Sequence, residues 1–149
     1  DRQWYARPRS GGNVFIDVRD LGAAMAAGLE TERGPRRYMA GGWFVTWASF
    51  VDELSHTTGR EIKLRGLPAP VLRGAGRISD VVSRILPVEP EITSEIAYFM
   101  TKMVPTDDAA LHAELGISYR PFRETMRDFV QWLVDDARIP PDHAPALTG

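Results

Sequence analysis

The stretch Asp107-Asp108-Ala109-Ala110-Leu111-His112-Ala113-Glu114-Leu115-Gly116-Ile117-Ser118-Tyr119-Arg120-Pro121-Phe122-Arg123-Glu124-Thr125-Met126-Arg127-Asp128-Phe129-Val130-Gln131-Trp132-Leu133 decides how this chain is read. Its grammar is that of two helices joined by a turn. Asp107 or Thr106 supplies a side-chain oxygen for the first N-terminus, where acidic residues also suit the helix dipole. Leu115-Gly116 ends that helix, because glycine enters the left-handed conformation such a stop uses. Pro121 fits the first position of the second helix, where its missing N–H costs little. Phe122, Met126, Phe129 and Leu133 then recur at the spacing of one buried face. Truncating Phe129 to Ala in that stripe is expected to cost about 3–5 kcal/mol.

Working outward, the preceding chain is also rich in helix signals. Asn13–Val18 has strand composition, and Asp20 is placed to cap a helix to about Glu30, with Leu21, Ala24, Met25, Gly28 and Leu29 on one face. Gly22 and Gly28 would allow another backbone to approach. Arg37–Ala40 reads as a short strand ended by Gly41-Gly42. Thr46 caps a helix with Trp47, Phe50, Val51 and Leu54 inward, and Gly59 stops it. Glu61–Arg65 reads as a strand. Pro68 and Pro70 open a helix through Val71, Leu72, Ala75, Ile78, Val82 and Ile85, which stops at Leu86-Pro87. Thr93 caps the next, with Ile96, Phe99, Met100 and Met103 inward. Residues 1–12 read as an irregular segment, and residues 140–149 as a frayed tail. About three short strands cannot build a proper sheet among themselves and call for partners.

Composition sets outer bounds. The chain has 149 residues, 44% hydrophobic and 26% charged, which suits one folded core. It has no cysteine, which excludes disulfides and thiolate metal sites and fits a reducing, cytoplasmic setting. A net charge of −2 argues against a general nucleic-acid binder. No apolar run reaches the roughly 20 residues of a membrane span. The opening Asp1-Arg2-Gln3-Trp4 has neither an initiator Met nor a signal-peptide core and reads as an internal cut.

Four segments, in order, resemble the C-terminal end of the extended short-chain dehydrogenases/reductases, the NAD-dependent epimerase/dehydratase superfamily. They are Val14-Phe15-Ile16-Asp17-Val18-Arg19-Asp20-Leu21-Gly22-Ala23-Ala24, Tyr38-Met39-Ala40-Gly41-Gly42, the helix from Thr46-Trp47 to Thr58-Gly59-Arg60, and the closing stretch quoted above. The resemblance covers roughly residues 10 to 137. It implies an α/β parent with an N-terminal Rossmann domain that holds NAD or NADP and the Ser/Tyr/Lys machinery, absent here. This chain would then be the C-terminal substrate domain, mainly α-helical with a few short strands. Residues 1–45 would be interdomain and Rossmann-edge elements, 46–139 the helical substrate-binding unit, and 140–149 a flexible tail.

Departures narrow the branch. The family's closing motif often has Lys where Ala110 stands and Ala where Leu111 stands. Its sugar-nucleotide epimerases carry a phosphate-binding Arg at the place of Asn13, and a second one without a counterpart near Met103–Thr106. Asparagine does not replace a guanidinium fork on a diphosphate. The chain therefore looks more like the dihydroflavonol-reductase or 3β-hydroxysteroid-dehydrogenase branch, with apolar carbonyl or alcohol substrates.

Several residues invite a chemical reading. Tyr98-Phe99-Met100-Thr101-Lys102 has the family's Y-x-x-x-K spacing, in which Lys lowers the pKa of an acid/base Tyr. It sits in the wrong place, between Thr93 and Pro105, and reads as a coincidence on a helix. Gly11-Gly12, Gly41-Gly42 and Gly74-x-Gly76 open no strand-to-helix phosphate loop, so no dinucleotide site is encoded. His56, His112 and His143 lack metal-ligand spacing. Asp107-Asp108 suit a helix start, and Asp135-Asp136 an exposed helix end. Trp4-Tyr5 with Arg2, Arg7 and Arg9 has the composition of a base-stacking segment but reads better as an interdomain loop. Arg19 is expected to pair with Asp17 or Asp20. Catalytic, cofactor-binding and metal residues are therefore expected to be none. In the family that the chain resembles, the region of the 71–85 and 96–103 stripes covers the substrate cleft, so the resemblance makes Leu72, Tyr98 and Met100 the candidates for lining it, beside the plainer reading of such stripes as core.

The resemblance implies the substrate-binding portion of an NAD(P)-dependent oxidoreductase acting on an apolar carbonyl or alcohol, inactive alone. Its partners would be the N-terminal Rossmann domain, a small apolar substrate and further copies of itself through residues 13–45, with no nucleic acid and no membrane span. The alternatives are an atypical, non-catalytic homologue serving as a binding or scaffold protein, and a free-standing helical interaction domain.

Overall fold

The computed structural model describes residues 5–8, 10–29, 34–62, 64–85 and 93–148. Its elements are β1 (Tyr5–Pro8), β2 (Gly12–Phe15), α1 (Val18–Gly28), β3 (Trp43–Thr46), α2 (Trp47–Thr58), β4 (Leu64–Leu67), α3 (Ala69–Ile85), α4 (Ser94–Lys102), α5 (Ala109–Leu115), α6 (Phe122–Asp135), a 3-10 turn (Pro141–His143) and α7 (Pro145–Thr148). The chain is mainly helical, with a few short strands, as the sequence led us to expect. No helix among the described residues is long and apolar enough to cross a membrane.

The strands form two separate pairs. β2 and β3 run antiparallel, from Gly12 opposite Thr46 to Phe15 opposite Trp43. A side chain on Gly12 would collide with the Val45 carbonyl, so the ladder closes only around a glycine. β1 and β4 run parallel, Tyr5 opposite Leu64 and Pro8 opposite Leu67. The segment expected to be irregular thus carries a strand. Its partner lies far along the chain, where local composition gives no warning.

Helix punctuation explains most boundaries. Thr46 ends β3 and also caps α2, its Oγ1 accepting from the Ser49 N–H at 3.1 Å. Gly59 stops α2 with φ +72°, and Gly116 stops α5 with φ +66°, both left-handed as expected. Thr93 caps α4 by accepting from the Ile96 N–H at 3.2 Å. The Asp80 carboxylate of α3 reinforces that helix start by accepting from the Ser94 N–H. Gly76 lies where a Cβ would meet the Thr93 carbonyl at 2.8 Å, so a glycine lets α3 and α4 touch.

The core sits between α2, α6 and the C-terminal segment. Met126, Val130 and Ala144 are buried there, with Phe50, Leu54, Phe122, Val134, Ile139 and Leu147 packed around them. Phe15 of β2 stacks on Phe50 and tilts against Phe122, each at 5.4 Å between ring centroids, which fastens the β2–β3 pair to α2 and α6.

Other expectations fail for identifiable reasons. Asp17, not Asp20, caps α1, accepting from the Arg19 N–H at 2.8 Å, and Asp20 is engaged elsewhere. Of the expected inner face of α1, Ala24 is buried, whereas Met25 and Leu29 are exposed; Glu30 lies outside the described residues. Among the described residues, nothing lies within 4 Å of a side chain placed on Gly22 or Gly28. Residues 37–40 form no strand, because the next two N–H groups are spent on a carboxylate rather than a ladder. The strand expected over Glu61–Arg65 runs instead from Leu64 to Leu67. Leu86-Pro87 lies outside the described residues, as do Arg2, Trp4 and Arg9. Pro121 stands just before α6 rather than within it. The α6 stripe runs through Met126 and Val130, leaving Phe129 about half exposed. Residues 140–148 are no frayed tail: Ala144 is fully buried and Leu147 packs on the core.

Candidate functional site

Two kinds of surface compete for a functional role: buried polar junctions and an open apolar face. The first junction joins α1, the loop before α6, and α6 itself. Asp17 accepts from the Arg19 guanidinium at 2.9 and 2.7 Å and from the Thr125 hydroxyl at 2.9 Å. Arg19 also bridges Asp128 at 2.7 Å, so Asp17 is its expected partner and Asp20 is not. Asp20 holds Arg120 twice, by the backbone N–H and by the guanidinium, each at 2.9 Å. Hydrogen bonding from the Arg19 side chain holds the Asp17 carboxyl well below the usual carboxylate range, against the opposing effect of burial. Charges committed to one another in this way pin elements together.

The second junction centres on Asp108. One oxygen, Oδ2, accepts from the Gly41 and Gly42 N–H groups at 2.9 and 3.0 Å and from the Tyr119 hydroxyl at 2.8 Å. Burial opposes its charge, but the donors from Gly42, Tyr119 and Gly41 outweigh it, and the pKa falls. Burial and the same carboxylate push the Tyr119 phenol upward. This explains the acidic pair: Asp107 accepts from the Ala109 N–H at 3.1 Å at the helix start, while Asp108 turns inward to tie the Gly41-Gly42 loop to α5. An open cleft of about 500 Å³ borders it, lined by Trp43, His112, Ser118 and Tyr119 among others.

A second groove, of about 270 Å³, lies between α1 and α5 and is lined by Leu21, Ala24, Met25, Tyr38, Leu111 and Leu115 among others. At its rim the Tyr38 hydroxyl donates to Glu114 at 2.9 Å. Leu72, Tyr98 and Met100 line neither cleft.

The α3–α4 hairpin carries the largest apolar display. The start of α4 lies against Gly76 and Asp80, in the middle of α3. Its end lies against Gly11, just past β1, whose partner β4 leads into α3. The two helices therefore run antiparallel. At 100° per residue, Val71, Ala75, Ile78, Val82 and Ile85 fall within an arc of about 80°. That arc faces solvent: Ile78 is 67% exposed and Ile85 76%. On α4 the same side carries Ile96, Met100 and Met103, while Arg73, Arg77 and Asp80 mark the opposite side of α3.

The three expected cleft residues are thus separated. Leu72, 2% exposed, is buried. Met100 is half-buried on the apolar side, and its carbonyl accepts from Trp47 Nε1 at 2.7 Å. Tyr98 is exposed and falls by helical phase on the opposite side, with Lys102. Sequence periodicity marked the α3 stripe, but it gave no sign that α3 meets α4 through Gly76 and Asp80 and turns the stripe outward. Among the described residues no cluster of three metal-ligating side chains occurs.

β2 leads to α1 through Asp17, whose carboxylate caps that helix, and β3 runs into α2 without a loop. Gly11 contacts α4 and Gly42 contacts β2, so both serve backbone packing.

No family model matches the chain, and no curated protein matches it. The crystal structure of gox2253 is similar to it in fold, with a TM-score of 0.69 over 91% of this chain at 22% identity. The chain spans 40% of the length of that protein.

Proposed function

We propose that this chain is the substrate-binding portion of an NAD(P)-dependent oxidoreductase of the extended short-chain dehydrogenase/reductase kind, acting on an apolar carbonyl or alcohol. The observation that carries this reading is the solvent-facing apolar side of the α3–α4 hairpin, a surface that a globular domain ordinarily covers. The order of the sequence motifs supports the family, and the partial span of the similar crystal structure is compatible with a longer parent. The nicotinamide is held by residues outside this chain, and so are the groups that move hydride and proton. The part of this chain is to bind and orient the apolar body of the substrate.

The test has two arms. A polypeptide that joins this chain to an upstream dinucleotide-binding domain is expected to consume NADH or NADPH with an apolar ketone or aldehyde, while residues 1–149 alone bind neither nucleotide. Saturable binding of a dinucleotide by the chain alone at micromolar levels, or inertness of the joined polypeptide toward apolar carbonyls, contradicts the reading.

A further inference from the structure

The cleft beside Asp108 is walled by rings that the protein holds in place. Trp43 Nε1 donates to the Arg120 carbonyl at 2.8 Å. The Tyr119 hydroxyl donates to Asp108 Oδ2 at 2.8 Å. His112 Nδ1 donates to the Ile117 carbonyl at 2.6 Å, and its ring meets Tyr119 edge-on at 4.7 Å between centroids. Each ring has committed one polar atom to the protein, which fixes its plane. What remains for a ligand is π surface, together with lone pairs on Ser118 and on Nε2 of the neutral His112 ring.

The cleft also holds a negative charge without a cation to match it. Asp108 is 7% exposed, and its partners, two backbone N–H groups and a phenol, are all neutral. Its Oδ1 is buried with no hydrogen-bond partner, and so is Oγ1 of Thr106, a second residue of the lining. Among the described residues no cation pairs with this carboxylate, and none of the lining residues is Lys or Arg. Arg120, next along the chain from Tyr119, is committed to Asp17 and Asp20. A buried carboxylate beside a concave wall projects its field into the cleft and acts without contact. Trp and Tyr rings favour positive charge as well. A cation gains from both features, and an anion from neither.

We infer that this cleft binds a small organic cation, an ammonium or amidinium group carried on a flat or slender body. The cation lies against the Trp43 and Tyr119 rings in the field of Asp108, and its N–H groups turn to Ser118 and His112. The cleft volume of about 500 Å³ falls within the roughly 300–1,000 Å³ of small-molecule sites, which favours a whole small molecule over one side chain of a protein partner. The site is separate from the α3–α4 face and does not rest on the oxidoreductase reading.

The probes are benzamidinium, benzamide and benzoate, which share one shape and carry a positive charge, no charge and a negative charge. Each is titrated into the 149-residue chain and followed by the backbone amide NMR signals of Ser118 and Tyr119. Benzamidinium is expected to bind about tenfold or more tightly than benzamide, and benzoate more weakly than either. Asp108→Asn keeps the shape and removes the charge, and should cut the benzamidinium-to-benzamide ratio by about threefold or more. Circular dichroism checks that this variant folds. Trp43→Leu, at a half-exposed ring, is the second handle and should weaken benzamidinium by about threefold or more. Equal affinity for benzamidinium and benzamide overturns the inference, as does a preference for benzoate. So does the absence of any shift with benzamidinium up to about 10 mM, or a ratio unchanged in a folded Asp108→Asn. If Asp108→Asn does not fold, benzamidinium affinity unchanged in Trp43→Leu overturns it.

Discussion

Helix α6 places Met126 and Val130 against α2 and the C-terminal segment, whereas α3, three residues longer and just as clearly striped, leaves Val71, Ile78 and Ile85 in solvent. On paper the two patterns are equivalent. The difference lies in what meets them. The surroundings of α6 carry their own aromatic and aliphatic surface in Phe15, Phe50, Leu54 and Leu147. The neighbour of α3 is α4, which it meets through Gly76 and Asp80, so the broad apolar side of α3 is left over. An amphipathic stripe therefore shows that a helix has something to cover, and only the fold shows whether the cover lies within the chain.

The sharpest way to break this contrast is to charge the α6 side. Val130 is 2% exposed with no cation beside it in the core cluster. Val130→Asp is expected to destabilise the chain by more than about 4 kcal/mol, because a buried unpaired carboxylate is among the costliest substitutions. Circular dichroism during urea unfolding reads this directly, and a variant as stable as the parent would mean that α6 does not form the core.

The Asp17 junction fixes α6 from its other side. Asp17→Asn weakens the α1 cap and leaves Arg19 and Arg120 beside a neutral amide, with an expected cost of about 2–4 kcal/mol at pH 7. The pH dependence follows from the direction of the shift. Folding lowers the Asp17 pKa, so its contribution is complete above the unfolded carboxylate value near 4 and is lost as pH falls toward the folded value. The gap between parent and variant should therefore shrink on acidification below about pH 4. A gap constant down to pH 2 would show that the junction contributes through shape alone.

Phe129 tests the phase of the α6 stripe. At 53% exposed it stacks on Trp132 at 6.1 Å, outside the core. Phe129→Ala should cost about 1 kcal/mol or less, against about 2–5 for Met126→Ala. Equal losses would restore the stripe as the spacing alone places it.

That misplacement shows where the sequence was legible. Caps and stops at Thr46, Gly59, Thr93 and Gly116 were readable because each rests on local chemistry. Misassignments came from distant partners. Asp20 looks like a cap until Arg120, a hundred residues on, claims it. Arg37–Ala40 looks like a strand until Asp108 takes the Gly41 and Gly42 N–H groups. The Pro-rich end looks frayed until Ala144 meets α6. For the candidate site, the residue types were legible and their directions were not: Leu72, Tyr98 and Met100 share a hairpin but point three ways.

The smallest expected effect bears most directly on the central claim, that the α3 stripe is a binding face and not part of the chain's own core. The double variant Ile78→Asp, Ile85→Asp is measured beside the parent by urea unfolding of the 149-residue chain. Surface substitutions away from packed features change stability by about 0.5 kcal/mol or less, and the account predicts a total within about 1 kcal/mol of the parent. A loss above about 3 kcal/mol, comparable to deleting a core side chain, would show that the face is covered within the chain and would contradict the account.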